Sequence, residues 1–490
     1  MQRLQKYLNK KPATLNTATI AYLAALDQID TVYPAIAQAI EQELKDQRSH
    51  LKLIASENFS SLPVQLAMGN LLTDKYAEGY PHHRFYAGCE NVDTVEELAQ
   101  AELKKIFGAE HAYVQPHSGA DANLVAFWSI LVQRVQNQEL EKLGKKSIDE
   151  LSPEEYERIR RLMNQQKVMG MSLNSGGHLT HGYRHNVSSK MMHSVFYDVD
   201  PKTEQLDYKV LAEQVKQEKP DILLAGYSAY SRRLNFATMR EIADSVGAVF
   251  MVDMAHFSGL VAGKVFQGEF DPIPYAHIVT STTHKTLRGP RGGFVLCKAE
   301  FAETINKGCP LVLGGPLPHV IAAKAIAFKE VNTTAFQDYA HQIVKNAHTL
   351  AESLKAKGAR IVSGGTENHL MIVDLSSFGL TGRHAETALR TAGLTVNRNA
   401  IPGDHNGPWY TSGIRLGTPA TTTLGMSETE MKEIAEIIFL ILKHTTPTIV
   451  EKTGLPSKAN AEVDPKILAE AQDRVNSLLN HFPLYPEIDI

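Results

Sequence analysis

Over residues 1–50 the apolar positions follow a helical period, and Ala35, Ile36, Ile40 and Leu44 mark one face of the last predicted helix there. From about residue 105 to residue 300 the texture changes. Short apolar runs recur at His111–Gln115, Val168–Ser172, Ser194–Tyr197, Asp221–Ala225, Ala248–Asp253, His277–Thr280 and Gly293–Cys297. Several place Val, Ile or Phe in succession, as strands covered on both faces do. Helical patterns such as Ala120–Val135 and Met239–Val246 lie between them. This alternation predicts an α/β fold with a mostly parallel central sheet between helical layers. Residues 136–166 interrupt it with charged, helix-forming sequence. Ser152-Pro153-Glu154-Glu155 is a helix start, with a Ser cap, Pro in the first turn and Glu three residues after the cap. The segment predicts an inserted, solvated helical hairpin. A helix over Pro318–Val331 leads into a second unit with helix Phe336–Lys355, strand Met371–Asp374, and helices Arg383–Ala392 and Ser427–His444. Residues 450–464 read as a loop before a last helix, Pro465–Asn480. The expected division is an N-terminal helical arm at 1–75, a large domain at 76–330 and a smaller C-terminal α/β domain at 331–490.

Composition narrows the class. Of 490 residues, 43% are hydrophobic and 21% charged, which excludes a wholly disordered chain, a collagen-like repeat and a disulfide-stapled miniprotein. Fifty Lys and Arg against 54 Asp and Glu leave a net charge of −4, so nothing draws the whole chain to nucleic acid or to an anionic membrane. No apolar stretch approaches the roughly 18 residues of a membrane span, and the N-terminal apolar patch is too short for a signal peptide. The cysteines, Cys89, Cys297 and Cys309, show no CxxC spacing. They predict neither a disulfide framework nor a zinc site, and a cytoplasmic location is expected.

The strongest chemical signal is Thr282-Thr283-His284-Lys285-Thr286, followed by the glycine-rich Arg288-Gly289-Pro290-Arg291-Gly292-Gly293. A lysine at the end of a strand, flanked by hydroxyls and a histidine, suits a Schiff-base nucleophile, which must be desolvated enough to lose its proton. Taken alone, Thr-His-Lys reads more readily as a surface turn. Asp253 ends an apolar strand 32 residues earlier, where open α/β sheets bind ligands. An acid there could keep the ring nitrogen of pyridoxal phosphate protonated; alone it reads more readily as a helix cap. Gln115-Pro116-His117-Ser118-Gly119 follows a strand and opens a helix, as an anion site does. Gly176-Gly177-His178-Leu179-Thr180-His181-Gly182 offers an imidazole to stack on a flat ring; as a metal site it lacks a third ligand nearby. Arg415, in Ser412–Ala420, could grip a carboxylate with its fork. Tyr76, Glu78 and Tyr86 cluster a carboxylate with aromatics suited to proton transfer.

In order and spacing these segments resemble the serine hydroxymethyltransferase family. The matching pieces are IASENFSS (54–61), YAEGYP (76–81), RFYAGCE (84–90), QPHSG (115–119), GGHLTHG (176–182), SAYSR (228–232), VDMAH (252–256), TTHKTLRGPRGG (282–293), GGPLPH (314–319), SGGTENH (363–369) and SGIRLGTPA (412–420). The resemblance implies a three-layer, fold-type-I pyridoxal-phosphate transferase. It would move the hydroxymethyl carbon of serine to tetrahydrofolate, giving glycine and 5,10-methylenetetrahydrofolate through an aldimine and a quinonoid. Whether the carbon leaves by retro-aldol cleavage or direct displacement stays open. The resemblance implies that Lys285 holds the cofactor, Asp253 pairs with its ring nitrogen and His178 stacks on the ring. Ser118 and Gly119 would bind the phosphate, with His284 nearby, and Ser228 and His256 would contact the ring hydroxyl side. Arg415 would grip the amino-acid carboxylate, assisted by Ser56. Leu173, Gly177 and Asn399 fall at folate-contact positions. The resemblance also implies a homodimer, or a tetramer, in which Tyr76, Glu78, Tyr86 and Gly315 serve the neighbouring subunit's site, Glu78 as the proton-transfer carboxylate.

The chain departs from the family at Ala120 and Asp121, where a Ser and a Gln are common, and at Leu313, which precedes the Gly-Gly turn in place of a Gln. The other readings are a pyridoxal-phosphate aldolase or racemase working without folate, and a non-catalytic binding protein. An intact Lys285, Asp253 and Arg415 set argues against the second.

Overall fold

The seven predicted strands of the middle region form one sheet. The computed structural model describes residues 2–10 and 15–489. In chain order the strands are β1 His111–Tyr113, β2 Lys167–Met171, β3 His193–Tyr197, β4 Ile222–Gly226, β5 Val249–Asp253, β6 Ile278–Thr282 and β7 Gly293–Cys297. Their spatial order is β1-β7-β6-β5-β4-β2-β3. Six run in one direction; β7 is antiparallel to both of its neighbours.

The apolar runs divide between two faces, as the two-residue period of a strand requires. On β5, Phe250 and Val252 join one core with helices Glu90–Phe107, Tyr208–Glu218, Phe236–Asp244 and Pro318–Val331. Val249 and Met251 join the opposite core with helices Gly119–Leu131 and Ala299–Asn306. The result is a helix–sheet–helix sandwich. Its register sets Gly226 beside Asp253 and Asp253 beside Thr280, so the C-terminal ends of β4, β5 and β6 lie together. Gly226 has a φ of +125°, and a Cβ there would stand 2.1 Å from the Asp253 carbonyl oxygen, so only glycine fits beside the aspartate.

The second unit is a four-stranded antiparallel sheet in the order Arg360–Ile361, Leu370–Asp374, Gly413–Gly417, Asn397–Asn399. Helices Thr334–Ala356, Gly382–Thr391, Glu428–Lys443 and Pro465–His481 cover it. The helix from Pro318 stops at Val331, and the Thr333 side chain caps the next one. The N-terminal arm carries helices Gln2–Asn9, Thr17–Val32 and Pro34–Ser49, then pairs Leu51–Lys52 with Leu394–Thr395 of this unit.

Two readings change. Ile36 and Ile40 are exposed, and Ala37 and Leu44 make the buried face of their helix. The stretch read as loop at 450–464 is mostly strand: Thr445–Val450 and Leu455–Val463 form a hairpin. Residues 136–166 do form helices, Asn137–Lys142 and Pro153–Asn164, and ion pairs join them. Glu139 holds both Lys142 and Arg158, and the Ser152–Glu155 capping box is in place. Among the described residues no helix is long and apolar enough to cross a membrane.

Candidate active site

Asp253 is the hub. It is buried at the end of β5, and its Oδ2 accepts hydrogen bonds from the Asn123 side-chain amide at 2.8 Å and His181 Nε2 at 3.1 Å. The Ala255 amide donates to Oδ1 at 3.0 Å. Burial alone would favour the neutral acid. The His181 bond, the nearby His181 and His178 rings and the Asn123 bond outweigh it and hold the carboxyl below the usual carboxylate range. The third group missing from the His178/His181 pair in sequence is therefore Asp253, and the three offer ligand atoms within 4.8 Å of one another. The His181 contact is a hydrogen bond that fixes the aspartate.

Asp253 shares a cavity of about 430 Å³ with Ser56, Ser118, Gly119, His178, Ser228, His256, His284, Lys285 and Arg415. Lys285 follows β6. Burial first, then the positive charges of Arg415 and Arg291, push its ammonium down to about 8 against the pull of Asp253. A lysine so placed is substantially neutral near pH 8, as a nucleophilic amine must be. His178 is brought down to about 4, chiefly by burial, and is neutral at pH 7. His284 falls to about 3 for the same leading reason, and its Nδ1 is buried without a hydrogen-bond partner among the described residues. Arg415 stands on strand Gly413–Gly417, 9% exposed. Its Nη1 donates to the Ser228 carbonyl at 2.6 Å and its Nε to Asn397 Oδ1 at 3.1 Å. Among the described residues no carboxylate lies within ion-pair distance, and burial brings the guanidinium down to about 10. A buried cation without a counter-charge is a receptor for an anion.

The anion end is built by Ser118 and Gly119. Ser118 caps helix Gly119–Leu131, and the first turn of that helix lines the cavity through Gly119 and Ala120. A Cβ on Gly119 would come within 2.7 Å of Thr282 Cγ2, so the turn can approach β6 only with glycine there. Asp121 bends back, its carboxylate accepting the Ser118 hydroxyl at 2.9 Å. That bond competes with any phosphate for the same hydroxyl.

Tyr76, Glu78, Tyr86 and Gly315 do not line this cavity. The Tyr76 and Tyr86 hydroxyls lie 3.3 and 3.5 Å from the Glu78 carboxylate, and Gly315 abuts the Tyr76 ring. Leu173, Gly177 and Asn399 also lie outside the lining. A Cβ on Gly177 would stand 1.9 Å from the Met171 carbonyl oxygen, so backbone packing alone demands this glycine. Sequence reasoning missed Asn123, His181, Tyr227, His369 and Arg291 as part of the site. Tyr227 and Arg291 line the cavity, and Asn123 and His181 fix Asp253.

The family model "Serine hydroxymethyltransferase" matches residues 29–144 and 152–438. The chain belongs to the serine hydroxymethyltransferase family. It is 58% identical to the serine hydroxymethyltransferase of Treponema pallidum (strain Nichols) over 487 residues, covering 99% of this chain and 85% of that one. It is 58% identical to that of Chlamydia trachomatis serovar D over 476 residues, 97% and 96% of the two chains. It is 54% identical to that of Salinispora tropica over 475 residues, 97% and 99%. The break in the family match at 145–151 falls in the predicted insertion. Membership of the family bears out the expected fold class and the expected enzyme class.

Proposed function

We propose that the chain interconverts serine and glycine by exchanging a one-carbon unit with tetrahydrofolate, using pyridoxal 5'-phosphate held on Lys285. The observation that carries this reading is the convergence of a partly neutral Lys285, an ionised Asp253 and an unpaired buried Arg415 on one cavity. The residues present fit the cofactor. The glycine-lined helix N-terminus at Ser118–Gly119 is a cradle for its phosphate, and the orphaned Nδ1 of His284 leaves a polar atom for a group bound there. When bound, pyridoxal phosphate supplies an electron sink for the amino-acid Cα.

The chain's residues do the rest. Asp253, held ionised by Asn123 and His181, would keep a proton on the ring nitrogen. His178, neutral, would lie against the ring face without adding a second positive charge. Ser228 and His256 would flank the ring hydroxyl. Arg415 orients the amino acid by its carboxylate, with Ser56 beside it. Glu78, with Tyr76 and Tyr86, takes and returns the proton of the serine hydroxyl from a second copy of the chain, in a homodimer whose Gly315 completes the phosphate contacts. Supporting that arrangement, the Tyr76–Glu78–Tyr86 cluster sits outside its own chain's cavity, and Tyr76 and Tyr86 are exposed. Leu173, Gly177 and Asn399 are assigned to folate. A cytoplasmic enzyme acting on these soluble metabolites fits the composition.

The test is transfer of label from serine carrying isotope at Cβ to tetrahydrofolate by the protein loaded with pyridoxal phosphate. Labelled methylenetetrahydrofolate is expected, with a new long-wavelength absorption band with glycine that depends on folate. Serine cleavage indifferent to folate would instead establish the aldolase reading.

A further inference from the structure

Two buried histidines meet where the two units join. His256 follows β5 in the large unit, and His369 precedes strand Leu370–Asp374 of the small one. Nδ1 of His256 lies 3.2 Å from Nε2 of His369, and the rings are 3% and 0% exposed. Burial first, then the positive charges of Lys285 and Arg415, keep both rings neutral at pH 7. Two neutral imidazoles in contact need one N–H and one lone pair, which allows two arrangements.

The far nitrogen of His369 chooses between them. Its Nδ1 is buried with no partner among the described residues. Were His256 the donor, His369 would carry its own proton on Nδ1, an N–H buried with nothing to accept it. With His369 as donor from Nε2, Nδ1 is only an unfilled lone pair. Orphaned buried N–H groups are the rarer and costlier defect. The donor is therefore His369.

We propose that His369 is a positioning residue that fixes His256 as its Nε2–H tautomer, so that His256 offers a hydrogen-bond donor to the cavity. His256 lines that cavity, and among the described residues its Nε2 is neither bonded nor sealed off. A fixed donor there selects a ligand oxygen carrying negative charge and disfavours one that must donate. That this oxygen belongs to the ring of pyridoxal phosphate rests on the proposed function; the tautomer does not. The same contact ties the small unit to the floor of the site, beside the Asn368 amide, which donates to the Tyr227 hydroxyl at 3.1 Å and the Tyr230 carbonyl at 2.9 Å.

The test uses the full chain labelled with 15N-histidine, with and without pyridoxal phosphate, as wild type, His369→Gln and His369→Phe. Glutamine places an amide N–H near the site of Nε2; phenylalanine keeps the volume and removes the donor. In wild type and His369→Gln the imidazole spectrum of His256 is expected to show the proton on Nε2; in His369→Phe the two tautomers mix. Cofactor affinity, measured by fluorescence titration, is expected to fall about tenfold in His369→Phe and less than threefold in His369→Gln. In a His256→Phe background, His369→Phe is expected to add no further loss. A proton on Nδ1 of His256 in the wild type overturns the proposal, as does equal weakening by Gln and Phe, which would mark a purely structural role. Failure of the wild type to bind the cofactor would sink the proposed function instead, and the 15N spectrum would still decide the tautomer.

Discussion

Removing the guanidinium of Arg415 is the sharpest perturbation of the site. Burial alone lowers this group from 12.5 to about 10, a cost to the charged form of about 3 kcal/mol. Two of its N–H groups are already committed to Ser228 and Asn397, and no carboxylate offsets the charge. An amino-acid carboxylate docking on the remaining edge recovers an energy of that order, so Arg415→Met should weaken glycine binding by about 3 kcal/mol, roughly 150-fold. The assay is titration of the cofactor absorbance with glycine in the loaded enzyme. Methylamine, which has the amine without the carboxylate, serves as the control and should bind both proteins alike. Arg415→Lys keeps the charge and loses the fork, and should fall between. The variant should not lose stability, because a buried uncompensated charge goes with the side chain. A glycine affinity changed less than threefold, or an equal loss for methylamine, would refute the assignment of Arg415 to the carboxylate.

Capture of pyridoxal phosphate by the cofactor-free protein should follow the neutral fraction of Lys285. Its rate should rise with pH to a plateau with a midpoint near 8, whereas an unperturbed lysine would keep climbing toward 10.5; stopped-flow absorbance separates the two. Asp121→Ala should tighten pyridoxal phosphate about fivefold in equilibrium titration, by freeing the Ser118 hydroxyl and removing a negative charge from the first turn of the cradle helix; weaker binding would show that the aspartate supports the cradle. Glu78→Gln and Arg415→Met should each abolish turnover, and mixing the two under conditions of subunit exchange should restore part of it. Mixtures as inactive as their parents would place Glu78 in its own chain's site.

Legibility followed burial. The inner strands of the large sheet are covered on both faces and stood out as runs; β4 through β7 are buried along their whole length. The 445–463 hairpin is solvated on most positions, offers no apolar face and has no such signal. Ile36 and Ile40 misled because apolar spacing marks a face without saying what covers it; the chain's own core takes Ala37 and Leu44. Within the site, Lys285, Asp253 and Arg415 were readable because their motifs are local. Asn123, His181 and His369 were not, since each works on a residue 130, 72 or 113 positions away, and only the fold brings the pairs together.

The charges of the cavity also explain why so many of its histidines are silent. Lys285, Arg415 and Arg291 bring positive charge to a small volume in which Asp253 and Glu57 are the negative groups lining the wall. Each further protonated imidazole would add to an unbalanced positive field, and the cations lower His178, His256, His284 and His369 in addition to burial. Neutral rings can donate, accept and stack without competing for anions. The cations are then left to the two anionic groups of the proposed ligands, a phosphate at the Ser118–Gly119 end and a carboxylate at Arg415. Asp253 keeps its charge only because Asn123 and His181 hold it, which separates the acid that must stay ionised from the cations that must stay free. A site balanced in this way gains its stability on binding, so the protein loaded with both pyridoxal phosphate and glycine should melt higher than either partly loaded form. Glycine that protects the Arg415→Met variant as well as the wild type would show that the carboxylate is balanced elsewhere.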